Sequence, residues 1–292
     1  MAGTSSLGST VADLVELTKP RIVLMVLLTV AAGFWMGSPS GQPGLRLFHT
    51  LLGTVLVAAG TNALNQVAER DLDALMRRTR SRPLPAGRLH VATAGSIAWL
   101  SGIAGVAYLA VAVNLTVAVL AAATLLSYVF GYTPLKRHSS LATLVGAIPG
   151  ALPIVGGWAA AAGDLRFPAW SLFCILFLWQ LPHFLALGWL YREDYARAAL
   201  RTLSTNDRDG RLTFRYASLY AAALLPVSLV PTIIGITGDV YLCGAVLLSS
   251  GFLLVAGTAA RSTSKSHARR LFASSLAYLP LLLVLMVANR VA

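Results

Sequence analysis

Residues 65–82 read NQVAERDLDALMRRTRSR. They begin in the last turn of a run, 47–68, that contains no Asp, Glu, Lys or Arg and is long enough to cross a bilayer. Asn65, Glu69 and Asp73 are spaced four residues apart. On an α-helix each such step turns about 400°, so the three side chains form a nearly straight stripe on one face. An amide and two carboxylates converging at a membrane edge make an oxygen-rich site for a hard cation such as Mg²⁺. The arginines that follow, Arg77, Arg78, Arg80 and Arg82, supply forked donors for phosphate oxygens. Together they describe a place where a lipid diphosphate is held half in membrane and half in water.

The rest of the chain agrees with a membrane setting. Of 292 residues, 57% are hydrophobic and 12% charged, against roughly 25% charged in soluble proteins. The expected class is an all-α, polytopic membrane protein forming a single domain over residues 1–292. Cys174 and Cys243 lie in apolar runs without a metal-binding spacing and read as small hydrophobes. Residues 1–10 lack a basic start before an apolar core, so no cleaved signal peptide is expected.

Nine low-charge stretches are long enough, or nearly so, to span: 22–37, 47–68, 91–113, 115–131, 139–163, 167–191, 216–236, 240–260 and 271–289. Only Asn114 divides the third from the fourth, which predicts a tight helical hairpin. Nine spans put the termini on opposite sides. Of the 23 Lys and Arg, 20 then fall on one side, in the N-terminal segment, 69–90, 132–138, 192–215 and 261–270. The positive-inside rule places that side in the cytoplasm, with the C-terminus outside. The net charge of +12 is thus explained by topology, and no nucleic-acid partner is expected. Residues 1–18 become an N-terminal cytoplasmic segment, and 69–90, 132–138 and 192–215 become cytoplasmic loops around the acidic stripe.

Four further clusters carry weight. A second acidic group, Glu193-Asp194, closes the sixth span and could complete the ion site. Trp179, Gln180 and His183 lie inside that span, where polar groups are costly and usually functional. Gln180 and His183 are spaced to share a face, and Pro182 loosens the local hydrogen-bond ladder. A flat ring would suit that wall, although a histidine bonded between helices is the plainer reading. Tyr132-Thr133-Pro134-Leu135-Lys136-Arg137 is a short cationic turn that could clamp phosphate. Residues 146–157, rich in Gly and Pro, read as packing and pocket-shaping.

These residues resemble the UbiA superfamily of intramembrane prenyltransferases. Its first motif, NxxxDxxxD followed by RTxxRPL, is matched by Asn65, Glu69 and Asp73, with Glu for the usual middle Asp, and by Arg78-Thr79-Arg80-Ser81-Arg82-Pro83-Leu84. Within the superfamily the chain is most similar to the haem-farnesylating branch, from Leu17-Thr18-Lys19-Pro20-Arg21 to at least Leu203. Ala142, Ala199 and Thr202 depart from that branch, which has Asn, Gly and Met there. The resemblance implies a nine-helix UbiA-type bundle in the bacterial cytoplasmic membrane. It implies farnesyl diphosphate and haem B as substrates, with Mg²⁺ held by Asn65, Glu69, Asp73 and Asp194. Arg21, Arg78, Arg82, Lys136 and Arg137 would hold the diphosphate, and Trp179, Gln180 and His183 the haem. It also implies a partner in the haem A and oxidase assembly route. Two other readings stay open: a superfamily relative acting on an aromatic acid or quinone precursor, and a transporter, whose broken helices also place polar groups mid-membrane.

Overall fold

A bilayer core admits only backbone that satisfies its own hydrogen bonds, and the chain meets this with helices. The computed structural model describes residues 7–38 and 44–291; the first residues of the expected N-terminal segment lie outside them. The order is α1 (Leu7–Thr18), α2 (Pro20–Gly37), α3 (Gly44–Ala68), α4 (Arg70–Leu75), α5 (Val91–Ala112), α6 (Leu115–Leu126), a π-helical turn (Ser127–Tyr132) running into α7 (Thr133–Leu135), α8 (Ala142–Ala162), α9 (Phe167–Leu190), α10 (Arg192–Arg197), α11 (Leu203–Asn206), α12 (Arg211–Ile233), α13 (Asp239–Ser262) and α14 (Lys265–Ala288). Among the described residues, nine helices are long and apolar enough to cross a membrane, taking α6 through α7 as one.

The helices overrun the apolar stretches at the basic ends. α12 starts at Arg211 and α14 at Lys265, each about one and a half turns before the span predicted from hydropathy. Arg and Lys are good helix formers, and their stems cover apolar surface while the charge reaches water. The hairpin at Asn114 forms as expected. Its Oδ1 accepts the Val117 N–H at 2.8 Å, capping α6, and its Nδ2 donates to the Ala159 carbonyl at 3.0 Å.

α2 and α8 are drawn together by glycines. A Cβ added at Gly33 would lie 2.0 Å from the Ile154 carbonyl oxygen, and one at Gly157 would lie 2.1 Å from that of Val30. Only a missing side chain allows this backbone approach, the usual way helices associate in lipid. Pro149 and Pro153 are accommodated inside α8. Around this pair lies a cavity of about 970 Å³, at the upper end of ligand pockets, which run to about 1,000 Å³. The five consecutive residues 28–32 of α2 all border it. Five residues cover more than one helical turn, so more than one face of α2 borders it. Residues of α3 and α6 line one part, and residues of α9 and α14 another.

Candidate active site

The stripe survives a break in its helix. α3 ends at Ala68, and Glu69 (φ −99°, ψ 6°) leads into α4. The four-residue ladder nevertheless continues, with Glu69 N–H to the Asn65 carbonyl at 2.9 Å and Asp73 N–H to the Glu69 carbonyl at 2.8 Å. Asn65, Glu69 and Asp73 are all buried, whereas Asp71 is exposed and paired with exposed Arg70.

Each buried acid faces a cation. Arg82 Nη1 donates to Asp73 Oδ2 at 2.7 Å, and Lys136 Nζ to Glu69 Oε1 at 2.8 Å. Burial opposes the charge on Lys136, but the Tyr132 ring beneath it, 4.2 Å away, and the Glu69 carboxylate hold its pKa well above the ordinary lysine value. The loop over the acids is fixed by the Thr79 hydroxyl, which donates to the Asp73 carbonyl at 2.9 Å.

Three predicted loops meet here. Arg77 N–H donates to Asp194 Oδ1 at 3.1 Å, and Arg201 N–H to the Lys136 carbonyl at 3.0 Å. Asp194 is buried and pairs with Arg197. The other three predicted phosphate ligands stand at the rim and are exposed. Arg21 borders the cavity, Arg78 lies 4.8 Å above the Tyr191 ring, and Arg137 donates to the Ala68 carbonyl at the end of α3.

Sequence reasoning passed over Lys19 and Thr133. Lys19 Nζ donates to Asn65 Oδ1 at 2.9 Å, and Asn65 Nδ2 to the Thr133 hydroxyl at 3.2 Å. Burial, then the charges of Arg82 and Lys136, lower the Lys19 pKa to about 7. Its backbone is left-handed (φ 55°), although the residue before a proline favours extended conformations. Such strain persists where surroundings enforce it, commonly at functional sites. The Lys19-Pro20 step was the available signal.

The acid cluster meets the cavity through Asn62, Tyr128 and Tyr132, all of which border it. Farther in, Trp179 and His183 stack at 5.3 Å, and Phe272 lies 4.8 Å from His183. Trp179 Nε1 donates to the Ser275 carbonyl at 2.8 Å, and His183 Nδ1 meets the Ser275 hydroxyl at 2.7 Å. Gln180 turns to α8 instead, donating to the Ala147 carbonyl at 3.2 Å. All three border the cavity, but the shared face expected for Gln180 and His183 divides between two neighbouring helices.

The model for the UbiA prenyltransferase family matches residues 26–282. The chain belongs to that family. It is 46% identical to a protoheme IX farnesyltransferase of Solibacter usitatus over 287 residues, covering 95% of this chain and 98% of the relative. The fold resembles a solved digeranylgeranylglyceryl phosphate synthase (TM-score 0.81, 16% identity, 96% and 98% coverage). It also resembles a UbiA homologue from Archaeoglobus fulgidus bound to GPP and Mg²⁺ (TM-score 0.66, 15% identity, 94% and 99% coverage).

The donor chemistry of this UbiA family member fits Mg²⁺. Among the described residues, no three Asp, Glu, His or Cys side chains gather as a metal cage. Mg²⁺ rarely uses one; it takes one or two carboxylates and completes its shell with water and substrate phosphate. Glu69 and Asp73, two hard-oxygen donors one turn apart with cations alongside, suit that arrangement.

One family departure is explained here. Ala199 has φ 52°. It follows α10, where Ala199 N–H donates to the Ala196 carbonyl and Leu200 N–H to that of Tyr195, both at 3.0 Å. This is the Schellman arrangement, whose left-handed position favours glycine. Ala199→Gly should therefore raise thermal stability, by about 1 kcal/mol at most, with turnover unchanged. A lowered melting temperature would show that the loop tolerates the alanine without strain.

Proposed function

We propose that this chain transfers the farnesyl group of farnesyl diphosphate to a vinyl group of haem B, releasing diphosphate and forming haem O. The observation that carries this reading is a buried acid–cation cluster beside a large apolar cavity, with Tyr132 both lining the cavity and lying under Lys136, and with Trp179, His183 and Phe272 on the cavity wall. Near-full-length similarity to protoheme IX farnesyltransferases supports the acceptor. In this reading the whole chain is one membrane domain in a bacterial cytoplasmic membrane, N-terminus inside and C-terminus outside. The one-sided distribution of Lys and Arg supports that orientation. Delivery of haem O to a partner in the haem A and oxidase assembly route belongs to the same proposal.

The chemistry follows from the charges. Glu69 and Asp73 would hold Mg²⁺, with Asn65 and Asp194 as further candidate ligands, and the ion when bound would neutralise phosphate oxygens and improve the leaving group. Arg82, Lys136 and Lys19 orient the diphosphate, and Arg21, Arg78 and Arg137 guard its approach. The C1–O bond breaks and its electron pair leaves with the diphosphate, whose growing charge the cations stabilise. The vinyl π-electrons form the new bond to C1. Water adds to the resulting cation beside the macrocycle and loses a proton, giving the hydroxyethyl unit. Until the carbon–carbon bond forms, the apolar walls keep water from the allylic cation.

The test is purified protein supplied with farnesyl diphosphate, Mg²⁺ and, as competing acceptors, haem B and an aromatic quinone precursor. Haem O should appear by mass and absorption spectrum. Prenylation of a quinone precursor, with haem B untouched, would overturn the acceptor.

The acceptor wall has its own test. His183→Ala should weaken haem binding about tenfold or more while leaving farnesyl diphosphate binding nearly intact. His183 lies seven residues before Leu190, where α9 ends and α10 with Asp194 follows, so it sits about two turns, about 10 Å of helix, inside the acidic edge. Separate binding measurements on the variant would decide. Loss of the diphosphate with haem retained would reverse the two half-sites, and loss of neither would make His183 a packing residue.

A further inference from the structure

We infer that Gly156 sets the length of prenyl chain that the cavity accepts, an inference that rests on the prenyl-transfer reading above. The α8 glycines face different surroundings. A Cβ at Gly146 would meet the Tyr132 ring at 2.5 Å, one at Gly150 would meet Gln180 Oε1 at 1.9 Å, and one at Gly157 would meet the Val30 carbonyl at 2.1 Å. Those three are explained by packing. A Cβ at Gly156 meets nothing within 4 Å. Gly156 is also in ordinary helical backbone, where glycine is less favourable than alanine. Neither crowding nor conformation accounts for it; what a side chain there would enter is the cavity, which Gly156 borders.

Its depth matches the reach of a bound chain along the α6–α8 side, while the lining on α2, α3 and α14 runs farther out, to Trp35, Leu47 and Ala288. Gly146 packs on Tyr132, whose ring carries the Lys136 ammonium, so this level of α8 lies beside the diphosphate cluster. Gly156 is ten residues farther along the same helix, about 15 Å from that level. It is the last residue of α8 to border the cavity. The facing helix α6 ends its lining at a matching level. Val117 is its outermost cavity residue, and Asn114, one turn beyond, bonds the Ala159 carbonyl at 3.0 Å. Between Tyr128 and Val117 the α6 lining is Thr124, Ala121 and Leu120, small or aliphatic. That lane suits an isoprenoid chain, whereas the ring-bearing wall belongs to α9 and α14.

The experiment compares farnesyl diphosphate with the shorter geranyl diphosphate, haem B being the acceptor for each. Gly156→Leu should lower kcat/KM for the farnesyl donor relative to the geranyl donor on the order of tenfold to a hundredfold, the discrimination that a few methylenes provide. Gly156→Ala should shift the ratio in the same direction by less, and KM for haem should not change. An unchanged donor ratio in an active variant, or a raised haem KM without a change of ratio, would overturn the inference. If Gly156→Leu turns over neither donor, binding of each diphosphate with Mg²⁺ and without haem decides it: equal loss of both overturns it, and selective loss of the farnesyl donor supports it. Should Gly156→Leu fail to fold, Gly156→Ala carries the same comparison. If the wild-type protein forms no prenylated haem, the transfer reading fails, while the binding arm still judges Gly156.

Discussion

Asp73→Asn should lower turnover on the order of a thousandfold, about 4 kcal/mol of transition-state stabilisation, while the protein still inserts and folds. Asp73 is 1% exposed and holds Arg82 at 2.7 Å. The substitution keeps the shape and removes the charge, so it loses a metal donor and releases the arginine from its fixed position. Glu69→Gln should act alike through Lys136. The matching control lies two residues away: Asp71→Asn makes the same chemical change where the carboxylate is exposed and its Arg70 partner faces solvent. Exposed pairs contribute about 0–1 kcal/mol, so that variant should retain nearly full activity. Breaking a buried pair also destabilises, by about 3–5 kcal/mol in enclosed settings, so rates must be set against folded protein. Near-normal turnover in a well-expressed Asp73→Asn protein would return the stripe to a mere balance of surface charge.

The fold was legible because a bilayer imposes a length and polarity that simple reading detects. All nine spans were found, and the errors fell at basic helix ends such as Arg211–Arg215, where side-chain stems obey apolar rules and head groups do not. The acid stripe was legible because its spacing is local, and it holds even across the break at Glu69. The pairings were not. Nothing local joins Lys19 to Asn65 across 46 residues, or Lys136 to Glu69 across 67. These contacts depend on how α2, α3 and the turn after α6 pack, which periodicity does not encode. Gln180 shows the same limit. Its spacing from His183 is local, but its partner, Ala147, is chosen by the approach of α8 that Gly150 permits.

Excess chelator should stop turnover, and Mg²⁺ should restore it. The acids and cations of the site satisfy one another, with Arg82 on Asp73 and Lys136 on Glu69. A diphosphate brings further negative charge to acids that are already present, and like charges at such short range are strongly unfavourable in a partly buried site. A divalent ion on Glu69 and Asp73 takes over the neutralisation of their charge, which loosens the hold on Arg82 and Lys136 and lets them turn to the diphosphate. Without the ion the same cations must serve both the carboxylates and the phosphates. Chelation should therefore weaken farnesyl diphosphate binding as well as catalysis, while haem binding, carried by the wall at Trp179 and His183, should be little affected. Calorimetric titration of each substrate with and without chelator separates the two. Full turnover in chelator would remove the metal from the site. Equal weakening of haem and diphosphate binding would mean that chelation disturbs the bundle as a whole rather than the buried pairs at Glu69 and Asp73.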